Sequence, residues 1–439
     1  MPAAAKAIWK KLVWTWKPES EFEAGDSIVK NLLLHWFPSK VTLESVSFRY
    51  SLWLGTASAV LFAILTLTGI VLMFLYVPSI ERAYASVKDI EYAVAFGWFL
   101  RGLHRIGAHL MVFVVFVHMI RVFLTGGYKN GVAAGQNRPL NWIIGVVLLL
   151  CTLLLSFTGY LLPWDQLAFW AITVGTNIAL AAPLVGEQTR FLLLGGNEIA
   201  QGALIRFYVL HCFVLPTAVL MLFAWHMWRI RKDGGLACVD KVALQQKKEK
   251  TQPVKSKTYS LLGIAGTRTV HVETALVDED RYATNSSPFL TQRLLVAILA
   301  TTVLAALFAI GIEAPLEEAA NPAVTSNPAK APWYFLWLQE LVADTTLRFG
   351  DFTLNGALVG GIILPGILAG LLLMWPYLDG SPVTATGVWF GPGRLRQNLV
   401  FLFVILLIVI LTIVGTFMRG PYWVLYWPWE AWELLPRHF

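Results

Sequence analysis

The stretch RGLHRIGAHLMVFVVFVHMIRVFLTGGYK at residues 101–129 places two histidines, His104 and His118, in one long apolar segment. An α-helix advances about 100° and about 1.5 Å per residue, so fourteen residues return to within about 40° of the starting face, about 21 Å along the axis. A second apolar segment carries His211 and His226, fifteen residues apart and within about 60° of one face. Each helix therefore presents two imidazoles on roughly one side.

Histidines on facing helices are a standard means of ligating haem iron, and ionisable residues inside a membrane span are functional candidates by default. Membrane histidines also bind single metal ions or relay protons. A single-metal site, however, needs its ligands within about 2 Å of one ion. Two histidines about 21 Å apart on each helix do not meet that need, so the pattern predicts two bis-histidine haems, one above the other across a membrane.

The composition is that of a polytopic membrane protein: 439 residues, 57% hydrophobic and 14% charged, with a mean hydropathy of +0.62. Nineteen tryptophans suit interfacial aromatic belts. We predict an all-α integral membrane fold, with a four-helix di-haem bundle followed by three further transmembrane helices. The spans are expected near 51–77, 97–124, 139–163, 205–228, 291–312, 354–377 and 397–418.

The loop charges predict an orientation in a bacterial-type cytoplasmic membrane. The connection 229–290 holds eleven Lys or Arg, whereas the connection after the fifth span is acidic. By the positive-inside rule, the N-terminus and the loops after spans two, four and six face the cytoplasm, and the other loops face the opposite, positive (p) side. The net charge of +7 is then largely a topology signal, and we expect a lipid membrane and no nucleic acid as partner.

Four regions follow from this organisation. Residues 1–50 are expected to form an N-terminal interfacial amphipathic segment, since they mix lysines with tryptophans and lack the apolar core of a signal peptide. The others are a four-helix di-haem domain (51–235), a cytoplasmic linker (236–290) and a three-helix C-terminal domain (291–439).

Charged residues flank the histidines. Arg101 stands three residues before His104, and Arg121 three residues after His118, where each could pair with a haem propionate. Snorkelling of the arginines to lipid headgroups is the alternative. His109 lies about 140° around the helix from His104, off the ligand face, so we expect it to pack or to hydrogen-bond.

Glycines repeat the fourteen-residue spacing on the neighbouring helices, as Gly55 with Gly69 and Gly145 with Gly159. A glycine allows a flat macrocycle to approach the backbone closely. Ordinary small-residue helix packing is the alternative explanation for any one of them.

These features resemble cytochrome b of the bc1/b6f group of quinol oxidoreductases. The resemblance rests on 101–129 and on SFTGYLLPWDQLAFWA (156–171), RFYVLHCFVLP (206–216) and APWYFLWLQEL (331–341). The fifteen-residue histidine spacing is similar to that of the b6f branch. The three C-terminal helices resemble what is a separate subunit in b6f complexes, here fused to the haem unit.

The resemblance implies how the cofactors are held. His104 with His211 would hold the p-side haem, and His118 with His226 the cytoplasm-side haem. Arg231 matches a basic residue beside the family's cytoplasm-side quinone pocket, although the positive-inside rule would also place an arginine there. A third, covalent haem is attached through a cysteine in the b6f branch. The matching residue here is Trp53, so we expect two non-covalent b-type haems and no covalent haem.

The family's p-side quinol pocket is formed by a PWD-containing segment and a PEWY segment. The matching residues are Tyr160, Trp164 and Asp165 in the first, and Pro332, Trp333 and Tyr334 in the second. Pro332 stands where the family's glutamate usually lies, and that glutamate is thought to take a proton from the quinol. We expect Glu340, or Asp344 beyond it, to take this role instead.

The implied function is oxidation of quinol on the p side. One electron goes to a Rieske-type iron–sulfur protein and the other passes through the two haems to a cytoplasm-side quinone, with a c-type cytochrome as further partner in a homodimeric complex. The chain has no CxxC cluster motif of its own. The alternatives are a di-haem membrane anchor of another respiratory dehydrogenase or reductase, and a transporter or structural subunit that binds no haem.

Overall fold

The protein is described here from a computed structural model covering residues 40–131, 135–237, 256–260, 269–273 and 283–432. Seven helices within these ranges are long and apolar enough to cross a membrane, which confirms the expected all-α membrane fold. The expected interfacial segment falls almost wholly outside the described residues, as does most of the linker.

Eleven helices of the described part position the site. They are α1 Leu54–Leu75, α2 Ala83–Tyr92, α3 Gly97–Leu124, α4 Arg138–Tyr160, α5 Gln166–Leu180, α6 Gly186–Leu194, α7 Gln201–Lys232, α8 Pro288–Gly311, α9 Trp333–Asp344, α10 Gly356–Leu378 and α11 Leu395–Met418. The spans are α1, α3, α4, α7, α8, α10 and α11. One-turn helices at Leu43–Val46 and Phe48–Ser51 precede α1.

Three short antiparallel strand pairs, which the sequence pattern does not predict, join parts of the chain outside the spans. They are β1 Lys40–Thr42 with β4 Ala283–Asn285, β2 Ser256–Ser260 with β3 Thr269–Glu273, and β5 Arg348–Phe349 with β6 Phe352–Thr353. The first pair, with Lys40 opposite Asn285, ties the approach to α1 to the approach to α8.

Two spans contain a π-helical turn just before a proline. In α7 the turn Leu210–Val214 precedes Pro216, and in α10 the turn Val359–Ile363 precedes Pro365. A proline inside a helix has no N–H to donate and its ring clashes with the carbonyl four residues earlier. The chain relieves the clash by widening one turn, which takes up an extra residue.

Helix α3 lies at the centre of the bundle, packed against α1, α4 and α8. The C-terminal unit is fastened to its far end by Arg394, whose side chain is fully buried. The guanidinium donates to the carbonyl of Phe123 at 2.8 Å and to the Tyr128 hydroxyl at 2.8 Å. Tyr128 in turn donates to Asp379 at 2.6 Å. Because a buried charge is costly without a partner, this cluster fixes how the two units dock.

Candidate functional site

The imidazoles of His104 on α3 and His211 on α7 face each other across the bundle. Their ring centroids are 6.2 Å apart, with the ring planes at 77°. Two metal–nitrogen bonds of about 2 Å, plus the two ring half-widths, span about 6 Å between centroids. The separation therefore fits one metal ion held between the two imidazoles, as a haem iron would be.

Hydrogen bonds at Nδ1 set the tautomer of both rings. The Thr68 hydroxyl donates to the Ile64 carbonyl at 2.7 Å, so its oxygen is left to accept from Nδ1 of His104 at 2.9 Å. Nδ1 of His211 donates to the carbonyl of Leu155 at 3.1 Å. In each ring the proton then sits on Nδ1 and the lone pair on Nε2, the form that binds a metal.

The π turn in α7 explains the unequal histidine spacings. His211 lies inside Leu210–Val214, where the backbone N–H of Leu215 bonds to the carbonyl of Leu210, five residues back. Because the turn takes up one residue, the fifteen residues to His226 have the angular effect of fourteen. The expected offset of about 60° is thereby reduced to about 40°, equal to that on α3.

Each of the four glycines packs against one of the four histidines. A Cβ built on Gly159 would lie 2.4 Å from Cε1 of His211, and one on Gly69 would lie 3.2 Å from that of His104. The corresponding distances are 3.4 Å for Gly55 with His118 and 3.5 Å for Gly145 with His226. The glycines thus make room for the imidazoles. The sequence predicted that they would make room for a macrocycle.

Two cavities contain these pairs. The His104 cavity, of about 280 Å³, is lined by His104 and His211. The His118 cavity, of about 100 Å³, is lined by His118 and His226. The two histidines of each helix therefore open onto separate spaces, as two stacked sites require.

Arginines line both cavities. Arg101 lines the His104 cavity, where it pairs with Glu91 at 2.6 Å and donates to the carbonyls of Ala314 and Pro315. Arg121 lines the His118 cavity, with its guanidinium 4.5 Å from the centre of the Tyr50 ring. Arg231 is exposed and is not part of the lining of the His118 cavity. Both lining arginines could meet an acidic group of a bound cofactor.

The His104 cavity also contains part of the expected quinol pocket. Tyr160, Asp165 and Tyr334 line it, whereas Trp164, Pro332, Trp333 and Glu340 are not among its lining residues. A backbone hydrogen bond joins the segment that contains Trp164 to the segment before α9, since the N–H of Ala320 donates to the carbonyl of Trp164 at 3.2 Å. The cavity is thus built by both the four-helix and the three-helix unit.

Asp165 is the one carboxylate lining the His104 cavity in the described part of the chain. Its Oδ1 accepts from the backbone N–H of Ala168 at 2.9 Å, which caps the N-terminus of α5. Burial raises the pKa of this carboxyl, and the bonds from the backbone N–H groups of Ala168 and Glu317 and the charge of Arg105 oppose the shift in part. Burial likewise raises the pKa of the Tyr334 hydroxyl to about 12.

The structure does not support Glu340 as the acceptor of the quinol proton. Its side chain is fully buried away from the cavity and accepts at 2.8 Å from Nε of Arg419 and at 3.1 Å from the indole N–H of Trp423. Asp344, the alternative, is 47% exposed and pairs with the same arginine at 2.9 Å. The two carboxylates fasten α9 to the segment after α11.

Many lining residues were not expected from the sequence as part of a site, among them two arginines and a histidine. Arg105 and His109 line the His104 cavity, and Arg138 lines the His118 cavity. A charged residue adjoining His104 inside a span is a usable signal for Arg105. No local pattern distinguishes Arg138 from an ordinary interfacial arginine, or His109 from an ordinary packing histidine.

Comparison with known proteins supplies the family. A model of the family described as cytochrome b/b6/petB matches residues 38–234. Cytochrome b6 of Synechocystis sp. is 35% identical over 218 residues, which cover 47% of this chain and 96% of the relative. The chain belongs to the cytochrome b/b6 family. Cytochrome b6 of Porphyra purpurea is 44% identical over 183 residues, covering 41% of this chain and 81% of that relative.

The family model ends at residue 234, and a solved structure extends the likeness to more of the chain. A chain of the structure titled "Hyperthermophilic respiratory Complex III" matches with a TM-score of 0.64 at 23% identity, covering 84% of each chain. At that identity the match supports the fold alone. It agrees with a cytochrome b unit continued by further membrane helices.

Proposed function

We propose that this chain is the di-haem cytochrome b subunit of a quinol:cytochrome c oxidoreductase. It would oxidise quinol in the His104 cavity and pass one electron across the membrane to a quinone on the opposite side, contributing to proton translocation. The observation that carries the proposal is a shared cavity: the facing pair of His104 and His211 lines the same space as Tyr160, Asp165 and Tyr334.

The donor set and its surroundings suit two b-type haems. His104 with His211 would ligate one and His118 with His226 the other, each imidazole being given room by its own glycine. Arg101 and Arg121 would meet the propionates. Two haems bound in this way supply one-electron carriers stacked across the low-dielectric layer. Trp53 stands where a covalent haem would need a cysteine, so no covalent haem is proposed.

Within the His104 cavity, we assign the quinol proton to Asp165. A base must have a pKa near the working pH and must reach the proton it removes. Burial raises the pKa of this carboxyl towards that range, and it lines the cavity. Tyr334, with its raised pKa, stays protonated at neutral pH and can donate a hydrogen bond to a quinol oxygen. Tyr160 lines the same space.

The remaining segments would shape and complete this pocket. Trp164 and Pro332 fix the paths of their segments, and Trp333 contacts the cavity residue His109. On the other side, Arg231 is proposed to lie near the second quinone. The chain would act with a Rieske-type iron–sulfur protein and a c-type cytochrome in a homodimeric complex, with its N-terminus in the cytoplasm, as loop charges indicate.

The test asks where the two electrons of each quinol go in the purified complex. If each quinol sends one electron to a high-potential acceptor and one to a haem, then adding oxidised acceptor in the presence of quinol must increase b-haem reduction. A simple di-haem anchor of another enzyme would instead lose electrons to the acceptor. We expect the increase, read as absorbance of the b haems, and a decrease would contradict the proposal.

A further inference from the structure

His109 lies on the wall of the His104 cavity but has no part in haem ligation. It is on α3, about 140° around the helix from His104, and its ring centroid is 5.7 Å from that of Tyr334. The indole Nε1 of Trp333 is 3.1 Å from its Nδ1. This contact joins α3 to the first residue of α9, so His109 touches both residues that follow Pro332.

The bond from Trp333 fixes where the imidazole carries its proton. An indole N–H can only donate, so Nδ1 of His109 must be the unprotonated, accepting nitrogen. The neutral ring then carries its proton on Nε2. Among the residues that the structure describes, none accepts a hydrogen bond from that Nε2. The result is a donor without a protein acceptor, on a side chain that lines the cavity.

We propose that His109 is a substrate-binding residue whose Nε2–H donates a hydrogen bond to an oxygen of the bound quinol. This inference rests on the proposed quinol oxidation at the His104 cavity. His109 is not the base of the reaction, because Nε2 already carries a proton and Nδ1 is occupied by Trp333. Its donor instead stabilises the negative charge that develops on the oxygen as the hydroxyl proton leaves for Asp165.

The position of His109 compensates for the proline at residue 332, where the family usually has a glutamate. Pro332 has no polar side chain to offer a quinol, whereas Trp333 beside it reaches His109 on another helix. A polar contact to the substrate is thereby supplied from α3 instead of from the segment that begins α9. The indole N–H of Trp333 fixes the tautomer of His109, so that its Nε2 is the donor.

The experiment uses the purified complex, with decyl-ubiquinol and a soluble dimethyl-naphthoquinol as the two probes. Loss of one hydrogen bond to a group gaining charge should lower kcat/KM of His109→Ala by about tenfold, with both haems retained. His109→Gln keeps an N–H donor at a similar reach and should recover most of the loss. It also keeps the proposal testable if the alanine variant fails to fold.

A matched pair of tryptophans tests the tautomer. Trp333→Phe removes the donor to Nδ1, so either ring nitrogen of His109 can then carry the proton and Nε2 no longer always donates. A fall in kcat/KM of about threefold is then expected, smaller than that of His109→Ala. Trp337→Phe removes an indole N–H that bonds only to the carbonyl of Tyr334 on the same helix, at 3.0 Å. It should leave kcat/KM as in the unmodified complex.

The outcomes separate this inference from the proposed function. If the unmodified complex oxidises quinol while His109→Ala keeps kcat/KM within about twofold, below the value of one hydrogen bond, the inference is wrong and the proposed function stands. If His109→Ala is impaired and His109→Gln is equally impaired, the donor role is also wrong. If the unmodified complex oxidises neither quinol, the proposed function and this inference both fail.

Discussion

The two histidine pairs lie in different surroundings. The His104 cavity, of about 280 Å³, is formed by both units of the chain, since Tyr334 of α9 lines it together with residues of the four-helix unit. The His118 cavity, of about 100 Å³, is lined by residues within 115–237 alone, and it too contains a carboxylate, Asp233, and a tyrosine, Tyr128. The two sites therefore differ in volume and in the units that build them, which suits the different tasks that the proposed function gives to the two histidine pairs.

The clearance around the imidazoles differs in the opposite sense, because it is smallest beside the larger cavity. The missing Cβ of Gly159 would overlap His211, whereas that of Gly145 would be in ordinary contact with His226. Packing is therefore tightest at His211, which lies inside the π turn of α7. A regular helix with a fourteen-residue spacing would not need this turn.

The largest expected effect is loss of one haem at a time. His104→Ala should remove the haem of the His104 cavity and abolish quinol oxidation, because one of the two imidazoles proposed to hold that haem is lost. His118→Ala should remove the other haem and block transfer across the membrane while quinol-driven reduction of the first survives. The pyridine haemochrome content measures the loss, and His271→Ala, on β3, is the control. Equal loss of quinol-driven haem reduction in the two histidine variants would contradict the comparison.

Asp165→Asn is expected to slow quinol oxidation by about 100-fold, since a positioned base contributes that much or more. Asparagine still caps α5, so the fold should be retained. Proton removal requires the ionised carboxylate, so the unmodified rate should fall as the pH drops through its pKa. Burial raises that pKa, which moves the fall to higher pH than for an ordinary aspartate. The asparagine variant should lack this limb, and a retained limb would exclude Asp165.

Gly159→Ala should be more damaging than Gly145→Ala. The added methyl group at residue 159 would lie 2.4 Å from Cε1 of His211, against 3.5 Å from that of His226 for residue 145. Overpacking of this kind costs about 1–3 kcal/mol. We expect a lower melting temperature and partial haem loss for the first variant alone. Equal haem content and stability in the two variants would show that the clearances do not differ in solution.

Glu340→Gln should have the smallest effect on turnover. The carboxylate is bound by Arg419 and Trp423, away from the cavity, and Arg419 keeps Asp344 as a partner. We expect unfolding to be easier by about 1–3 kcal/mol, seen in a thermal melt, with quinol oxidation nearly unchanged. A loss as large as that of Asp165→Asn would return the proton role to Glu340.

Hydropathy and loop patterns predicted most of the fold. The second span was expected at 97–124 and is found at Gly97–Leu124, because span length depends on local composition alone. The π turn in α7 was not predicted, although Pro216 is its local cause. The partners of Glu340 and His109 could not be predicted, since Arg419 and Trp333 lie 79 and 224 residues away along the chain. Such contacts depend on the packing of whole helices.

The most direct test of the account is a dithionite-minus-ascorbate difference spectrum of the purified protein, combined with a pyridine haemochrome count and a redox titration. The account predicts two b-type haems per chain, both removable by acid acetone and titrating at separate potentials because their cavities differ. One haem per chain, or none, would contradict the four-histidine assignment and the electron path built on it.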